Sequence, residues 1–154
     1  SRNPYDVIDP LWWTGDIYGS VAEYEASLIP FSREQRLVFA AIWYLSEVNN
    51  GGHNQFFWNS TGIVWPDAVQ AFREMGLADL VELLQESSRR LGGVPSRDRE
   101  ERQRQLDDSE ADFGDLDDQF FRLQNEIDFD SAIADYIQAH RESFHFDDLV
   151  SKPK

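Results

Sequence analysis

A continuous apolar stretch in the first third of the chain is the strongest structural signal in the sequence. Between Arg36 and Val48 nearly every position is apolar, so a helix here has no polar face. The run from Ser32 to Gln35 just before it has the form of a capping box, which opens a helix. Because a helix without a polar face is normally surrounded by others, we predict a central helix at about residues 36–48.

The rest of the chain carries further helical signals and no strand signal. Pro66 suits the first turn of a helix that ends at Gly76, and apolar residues then recur at helical spacing up to Leu91. Since period-two alternation is not sustained anywhere, the sequence predicts an all-α fold, a single compact domain of several helices around the central one. Two helix faces are predicted downstream, one formed by Leu116, Phe120, Leu123 and Ile127, the other by Phe129, Ile133, Tyr136, Ile137, His140 and Phe144.

The predicted organisation has two parts joined without a long linker. Residues 1–30 read as an N-terminal arm and short helix that pack on the core, and residues 30–150 as the main helical domain. Gly92 to Pro95 interrupts the helical pattern, and the following run from Ser96 to Gln105 has mixed charge and no apolar side chain. We therefore predict a charged connector at residues 92–106, in the form of an exposed helix.

A dense group of amides surrounds the point where the central helix is predicted to end. The run from Asn49 to Gly52 combines residues that tolerate or prefer left-handed backbone, which indicates a helix stop and a turn. Three aromatic residues follow at 56–58, on a short helix that stops near residue 62. We predict that the neighbouring amides hydrogen-bond the backbone around this corner, namely Asn49, Asn50, Gln55 and Asn59.

Composition narrows the classes of protein that this chain can be. At 154 residues it is long enough for one domain with a core, and its lack of cysteine excludes disulfides and thiolate chemistry. No apolar run approaches the ~20 residues that span a bilayer, and no signal-peptide pattern opens the chain, so we expect a cytoplasmic protein. A net charge of −15 opposes binding to nucleic acid and to anionic membranes, and favours a basic partner.

Motifs for catalysis and for metal binding are weak in this sequence. Glu47 and His53 flank the corner, but they are separated by a helix break and have only amides nearby, which are weak ligands for soft metals. No nucleophile elbow and no phosphate-binding glycine loop is present. The sequence therefore predicts no catalytic residue, no metal and no cofactor, and a small hydrolase with paired carboxylates is the least favoured alternative.

The strongest functional signal is a block of acidic residues with one sign of charge. From Asp107 to Asp135 there are eleven acidic residues and one basic residue, Arg122. Carboxylates three or four residues apart on a helix lie roughly 5–6 Å from one another, similar to a phosphate spacing of about 6–7 Å along a nucleic acid. The residues predicted to bind a partner are Asp107, Asp108, Glu110, Asp112, Asp115, Asp117, Asp118, Asp128 and Asp130.

The corner also carries a resemblance to a known family. The run Glu47 to Gly52, followed by Gln55-Phe56-Phe57 and by Asn59-Ser60, resembles the bacterial family of acidic, all-helical DNA-mimic proteins, formerly a domain of unknown function. Weaker similarities follow in order at residues 68–76, 116–120 and 136–144. His53 departs from the pattern, since a more apolar residue is expected at that position.

The resemblance implies both a fold and a class of partner. It implies an all-α protein that displays carboxylates in place of DNA phosphates and occupies the basic surface of a DNA-binding protein, such as a transcriptional regulator or a nucleoid protein. A second class remains open, an immunity-type protein that inhibits a toxin nuclease through a tighter and more mixed interface. The chain could also pair with a second copy of itself as a homodimer.

Overall fold

Helix follows helix through residues 15–144, the part of the chain that the computed structural model describes. No strand occurs in this range, so the predicted all-α fold is confirmed. The predicted arm at residues 1–14 and the end of the predicted domain at 145–150 lie outside the described residues, and the division at residue 30 stays a prediction. The α-helices are α1 (Val21–Leu28), α2 (Arg33–Trp58), α3 (Trp65–Glu74), α4 (Ala78–Leu91), α5 (Arg99–Ser109), α6 (Gly114–Glu126) and α7 (Phe129–Ala139), with 3-10 helices at Ser60–Val64 and Arg141–Phe144.

Helix α2 is central, as its apolar circumference predicts. It packs against α3, α5, α6, α7 and both 3-10 helices, and its side chains at Ala40, Tyr44 and Val48 are fully buried. The predicted capping box opens it: the Gln35 N–H donates to Ser32 Oγ at 3.1 Å and the Ser32 N–H donates to Gln35 Oε1 at 2.7 Å. None of the helices between residues 15 and 144 is long and apolar enough to cross a membrane.

The corner at Gly51 and Gly52 is a kink within α2. Both glycines leave helical conformation, Gly52 with φ 77° and ψ −174°, so two helical segments meet there at a kink. A Cβ atom at Gly52 would lie 2.4 Å from Asp117 Oδ2, so positive φ and close approach both require glycine. The helix break is therefore found at the predicted corner, and it brings Asp117 of α6 against the backbone of α2.

Helix α5 occupies the second half of the predicted charged connector, and one of its arginines is part of the core. Arg102 is fully buried, although most of the helix is exposed, as expected. Its guanidinium donates to the carbonyl oxygens of Phe57 at 2.8 Å and Asn59 at 2.6 Å, at the C-terminus of α2, and to Ser96 O at 2.9 Å. A cation at this end of a helix satisfies carbonyls that have no intrahelical partner.

Helix α5 thus covers the end of α2 with polar contacts, in addition to the apolar contribution of Leu106 to the core. Arg99 and Gln103 both donate to the Trp58 carbonyl, at 3.1 and 3.0 Å. Burial lowers the pKa of Arg102 to about 10, so the guanidinium still carries its proton at neutral pH. Gly62 leaves the space that this side chain occupies, because a Cβ atom there would lie 2.3 Å from Arg102 Nε.

We expect Arg102→Met to lower the free energy of unfolding by about 2–3 kcal/mol, because buried carbonyls of α2 lose their donor. Arg104→Met removes the same charge from an exposed position of α5 and should change the free energy of unfolding by less than about 0.5 kcal/mol. Urea denaturation followed by circular dichroism measures both. Equal stability of the two variants would contradict the role assigned to Arg102.

Candidate functional site

The nine predicted partner-binding residues lie on three consecutive helices and the turns that join them. Eight of the nine are exposed; the exception is Asp117, whose side chain is 26% exposed. The apolar residues between them mostly point inward, although Phe121 is 40% exposed, against expectation. We call the eight exposed members the acidic surface: Asp107, Asp108, Glu110, Asp112, Asp115, Asp118, Asp128 and Asp130.

Some acids outside the acidic surface form ion pairs with arginines. These pairs are Glu25 with Arg36 and Arg97, Asp67 with Arg36, Glu74 with Arg33, Glu82 with Arg89, and Glu86 with Arg89 and Arg90. Other acids outside the acidic surface, such as Glu23 and Asp79, pair with no arginine among the described residues. The acidic surface therefore differs in the close spacing of its unpaired carboxylates along the chain, not in being the one place that has them.

Within the acidic surface, most carboxylates have no cation beside them. Asp107, Asp108, Glu110 and Asp118 form no ion pair with any residue from 15 to 144. Asp112 and Asp128 use one oxygen each to accept a backbone N–H, from Gly114 at 2.8 Å and from Ser131 at 3.0 Å, and these contacts leave the negative charge in place.

Asp115 belongs to the acidic surface, but an arginine neutralises it. Both of its oxygens accept from Arg90 of α4, at 2.5 and 2.9 Å. This fork-shaped contact holds the pKa of Asp115 below its usual value. Asp115 therefore contributes less to the field of the acidic surface than its neighbours do, and it joins α6 to α4.

Asp117 is turned towards the core, where it holds the kink of α2. Its Oδ1 atom accepts from the backbone N–H of His53 at 2.9 Å and lies 2.7 Å from His53 Nδ1. On the other side of the ring, His53 Nε2 lies 2.7 Å from the Tyr44 hydroxyl. His53 and Tyr44 are both fully buried, so this polar chain runs from the partly exposed carboxylate into the centre of the molecule.

The surroundings of the chain fix the direction of its hydrogen bonds. Burial, and then the Asp117 charge, raise the pKa of the Tyr44 phenol well above 10, so the phenol stays protonated. Nδ1 of His53 donates its proton to the Asp117 carboxylate, and in this neutral tautomer Nε2 is the acceptor for the phenol. An Asp–His–hydroxyl sequence can activate a nucleophile, but the Tyr44 oxygen is buried and cannot reach a substrate, so the arrangement is structural.

The amides around the kink bond mainly to side chains, which corrects the predicted backbone role. Only Asn49 reaches the backbone, donating to Leu45 O at 2.8 Å, and it also exchanges two hydrogen bonds of 2.8 Å with Gln124 of α6. Asn50 donates to Gln55 Oε1 at 3.2 Å. Gln55 and Asn59 donate instead to the carboxylate of Glu47.

Sequence reasoning missed the structural roles of His53, considered there only as a weak metal ligand, and of Arg102, expected on an exposed helix; both make buried polar contacts. The one signal for His53 was its departure from the family pattern. No signal marked Arg102, which stands among ten residues of similar polarity. In the range 15–144, no group of three or more histidine, cysteine or acidic side chains is placed to hold a metal ion.

We expect Asp117→Ala to lower the free energy of unfolding by about 1–3 kcal/mol, because two buried donors of His53 lose their acceptor. Asp117→Asn keeps an acceptor oxygen and should cost less. Asp118→Ala, at the exposed neighbour, and Asn50→Ala should each change stability by less than about 1 kcal/mol. Thermal denaturation ranks the four variants, and equal values for Asp117→Ala and Asp118→Ala would contradict the assignment.

Comparison with known proteins places this geometry in one family. Residues 30–140 match the family described as DMP19-like protein. The matched range begins just before α2 and ends just after α7, so it contains the kink, the Tyr44–His53–Asp117 chain and the whole acidic surface. Neither the curated proteins nor the solved structures gave a match. Because the match covers well over half of the chain, the protein belongs to the DMP19-like protein family.

Proposed function

We propose that the protein is a DNA mimic, whose acidic surface binds the basic surface of a DNA-binding protein and competes there with DNA. The observation that carries the proposal is the clustering of carboxylates that have no cation beside them. Asp107, Asp108, Glu110 and Asp118 all lie between residues 107 and 118, and none of them forms an ion pair with a described residue. Carboxylates left in this state repel one another, and a basic partner relieves the repulsion.

The rigidity of the supporting helices favours the same function. Asp117 and Asp118 are adjacent on α6, and the first is fixed to the buried His53 while the second faces solvent. Asp115, on the same helix, is fixed by Arg90 of α4. Charges on a helix that is held at both of these points keep their positions without a partner, which lowers the cost of ordering them on binding.

The proposed partner is a transcriptional regulator or a nucleoid protein, and the proposed setting is the cytoplasm. No enzymatic activity is part of the proposal, since the one histidine-centred chain of the described residues has a buried hydroxyl. A basic surface that accepts DNA phosphates could accept these carboxylates with the same arginine and lysine side chains.

We expect the immobilised protein to capture DNA-binding proteins from source-cell lysate, and duplex DNA to elute them. The capture should weaken steeply with salt, because exposed charges are screened beyond ~10 Å at 0.1 M. The captured protein, once purified, should be displaced from its DNA in a fluorescence anisotropy assay. Capture of a nuclease inhibited at its active site would favour the immunity-type alternative, and captured proteins that do not bind DNA would contradict the mimic.

The variant Asp107→Asn, Asp108→Asn, Asp118→Asn tests the surface itself. It avoids Asp115 and Asp117, whose loss would disturb contacts inside the fold. At ~0.5 kcal/mol for each exposed charge pair, affinity for the captured protein should fall about tenfold at low salt. A control with the same change of charge at exposed positions elsewhere combines Asp79→Asn, Glu100→Gln and Glu142→Gln, and equal losses in both variants would contradict a defined surface.

A further inference from the structure

A groove runs beside the acidic surface, between α2 and the turn that joins α6 to α7. Its volume is about 700 Å³. Ile42 and Leu45 of α2 form a buried apolar floor, 2% and 4% exposed. The rim is polar, formed by Ser46 and Asn49 of α2, Gln124 to Glu126 of α6, and Asp128 and Asp130 of α7.

A second recess continues the groove along α2 and shares Ser46 and Asn49 with it. This recess has a volume of about 410 Å³ and reaches Glu47, Asn50 and Gln55. Glu47 is 9% exposed and accepts hydrogen bonds from the amides of Gln55 and Asn59 alone among the described residues, so no cation balances its charge there.

The lining of the two recesses has a single sign of charge. Four carboxylates belong to it and no lysine or arginine does. Five amide side chains separate the carboxylates, and each can both donate to and accept from a peptide backbone. The lining amides are Asn49, Asn50, Gln55, Gln124 and Asn125.

The polar rim of the groove favours an extended ligand. From Ile42 to Asn49 the rise along α2 is about 11 Å. An α-helix pairs its own backbone groups internally and would use only the open acidic surface, whereas an extended segment leaves its N–H and C=O groups free for the rim amides. An extended segment of about three residues spans the same length, with its backbone within reach of the amides.

We propose that this groove, which we call the α2–α7 groove, binds an extended, arginine-containing segment of the basic partner. The inference deepens the proposed function and rests on it. The methylene stem of an arginine lies on the Ile42 and Leu45 floor while its guanidinium meets Asp128 or Glu126 at the rim. The acidic surface then attracts the partner at long range, and the α2–α7 groove selects partners that carry such a segment.

The test uses the whole protein and a short synthetic peptide in which arginine alternates with glycine. Isothermal titration calorimetry should show binding of this peptide to the parent protein and none of a peptide with glutamine in place of arginine. Absence of binding by the arginine peptide would overturn the proposal. A helical peptide of the same charge should bind at least about tenfold more weakly, since it fits only the open surface.

A steric variant tests the groove without changing charge. Ser46→Trp fills the point that the two recesses share, at an exposed position where the fold tolerates it. Its affinity for the arginine peptide should fall at least about tenfold, whereas the matched control Ala22→Trp, on the exposed side of α1, should stay within about twofold of the parent. Parent-like binding by Ser46→Trp would overturn the proposal.

A charge variant separates the groove from the general field of the protein. Glu126→Gln with Asp128→Asn removes two rim charges, and asparagine at 128 still caps α7. Asp107→Asn with Asp108→Asn removes two charges from α5. The first pair should lower the affinity for the arginine peptide about tenfold and the second only about twofold. Equal losses of affinity would show an effect of the general field and overturn the proposal for the α2–α7 groove.

The outcomes also separate this inference from the proposed function. If the groove variants lose the arginine peptide while no DNA-binding protein is captured from lysate, the α2–α7 groove stands and DNA mimicry fails. If a captured DNA-binding protein depends on Asp107, Asp108 and Asp118 but binds Ser46→Trp as tightly as the parent, mimicry stands and the α2–α7 groove is not part of it.

Discussion

The need of one buried phenol for a hydrogen-bond partner organises much of this structure. The Tyr44 ring lies at the centre of the core, edge-on to Phe56, Phe72 and Phe120 at centroid distances of 5.2, 5.6 and 5.8 Å. An unpaired hydroxyl at this depth would be costly, so His53 supplies its acceptor. His53 can do so only because α2 kinks at the preceding glycines, and its second nitrogen then requires the carboxylate of α6. One polar chain thus links the two segments of α2, on either side of the kink, to α6.

Local features of this fold can be predicted from the sequence, whereas its long-range polar contacts cannot. Neighbouring residues are enough to recognise the capping box, and the periodicity of apolar residues is enough to recognise the central helix and the helical faces of α6 and α7. Asp117 and His53 are 64 positions apart, and Arg102 and the Phe57 carbonyl 45. A carboxylate among many carboxylates, or an arginine in a charged run, gives no sign of the partner that folding brings to it. For this reason the sequence predicts Asp117 on the partner-binding surface and the helix that carries Arg102 in solvent.

The acids of this protein serve two different purposes that composition cannot separate. On α1 and α3 some of them, such as Glu25 and Glu74, pair with arginines of α2 and hold helices together. On α5 to α7 most of them have no cation beside them, and Asp112 and Asp128 accept backbone N–H groups at the starts of α6 and α7. Such contacts stabilise the start of a helix and keep the carboxylate charged. The same residues, Asp112 and Asp128, can therefore shape the fold and contribute to the external field.

The way Arg102 is held has a consequence for how the protein behaves in salt. Its charge is balanced by the carbonyl dipoles at the end of α2, in a place that mobile ions cannot enter. The contact that fastens α5 to the core should thus be nearly indifferent to ionic strength, whereas attraction at the acidic surface depends on it strongly. Raising the salt concentration would then weaken the proposed binding of a basic partner while leaving the contact between α5 and α2 in place. In the proposed DNA mimic, release of the partner by salt would therefore not require α5 to detach from the core.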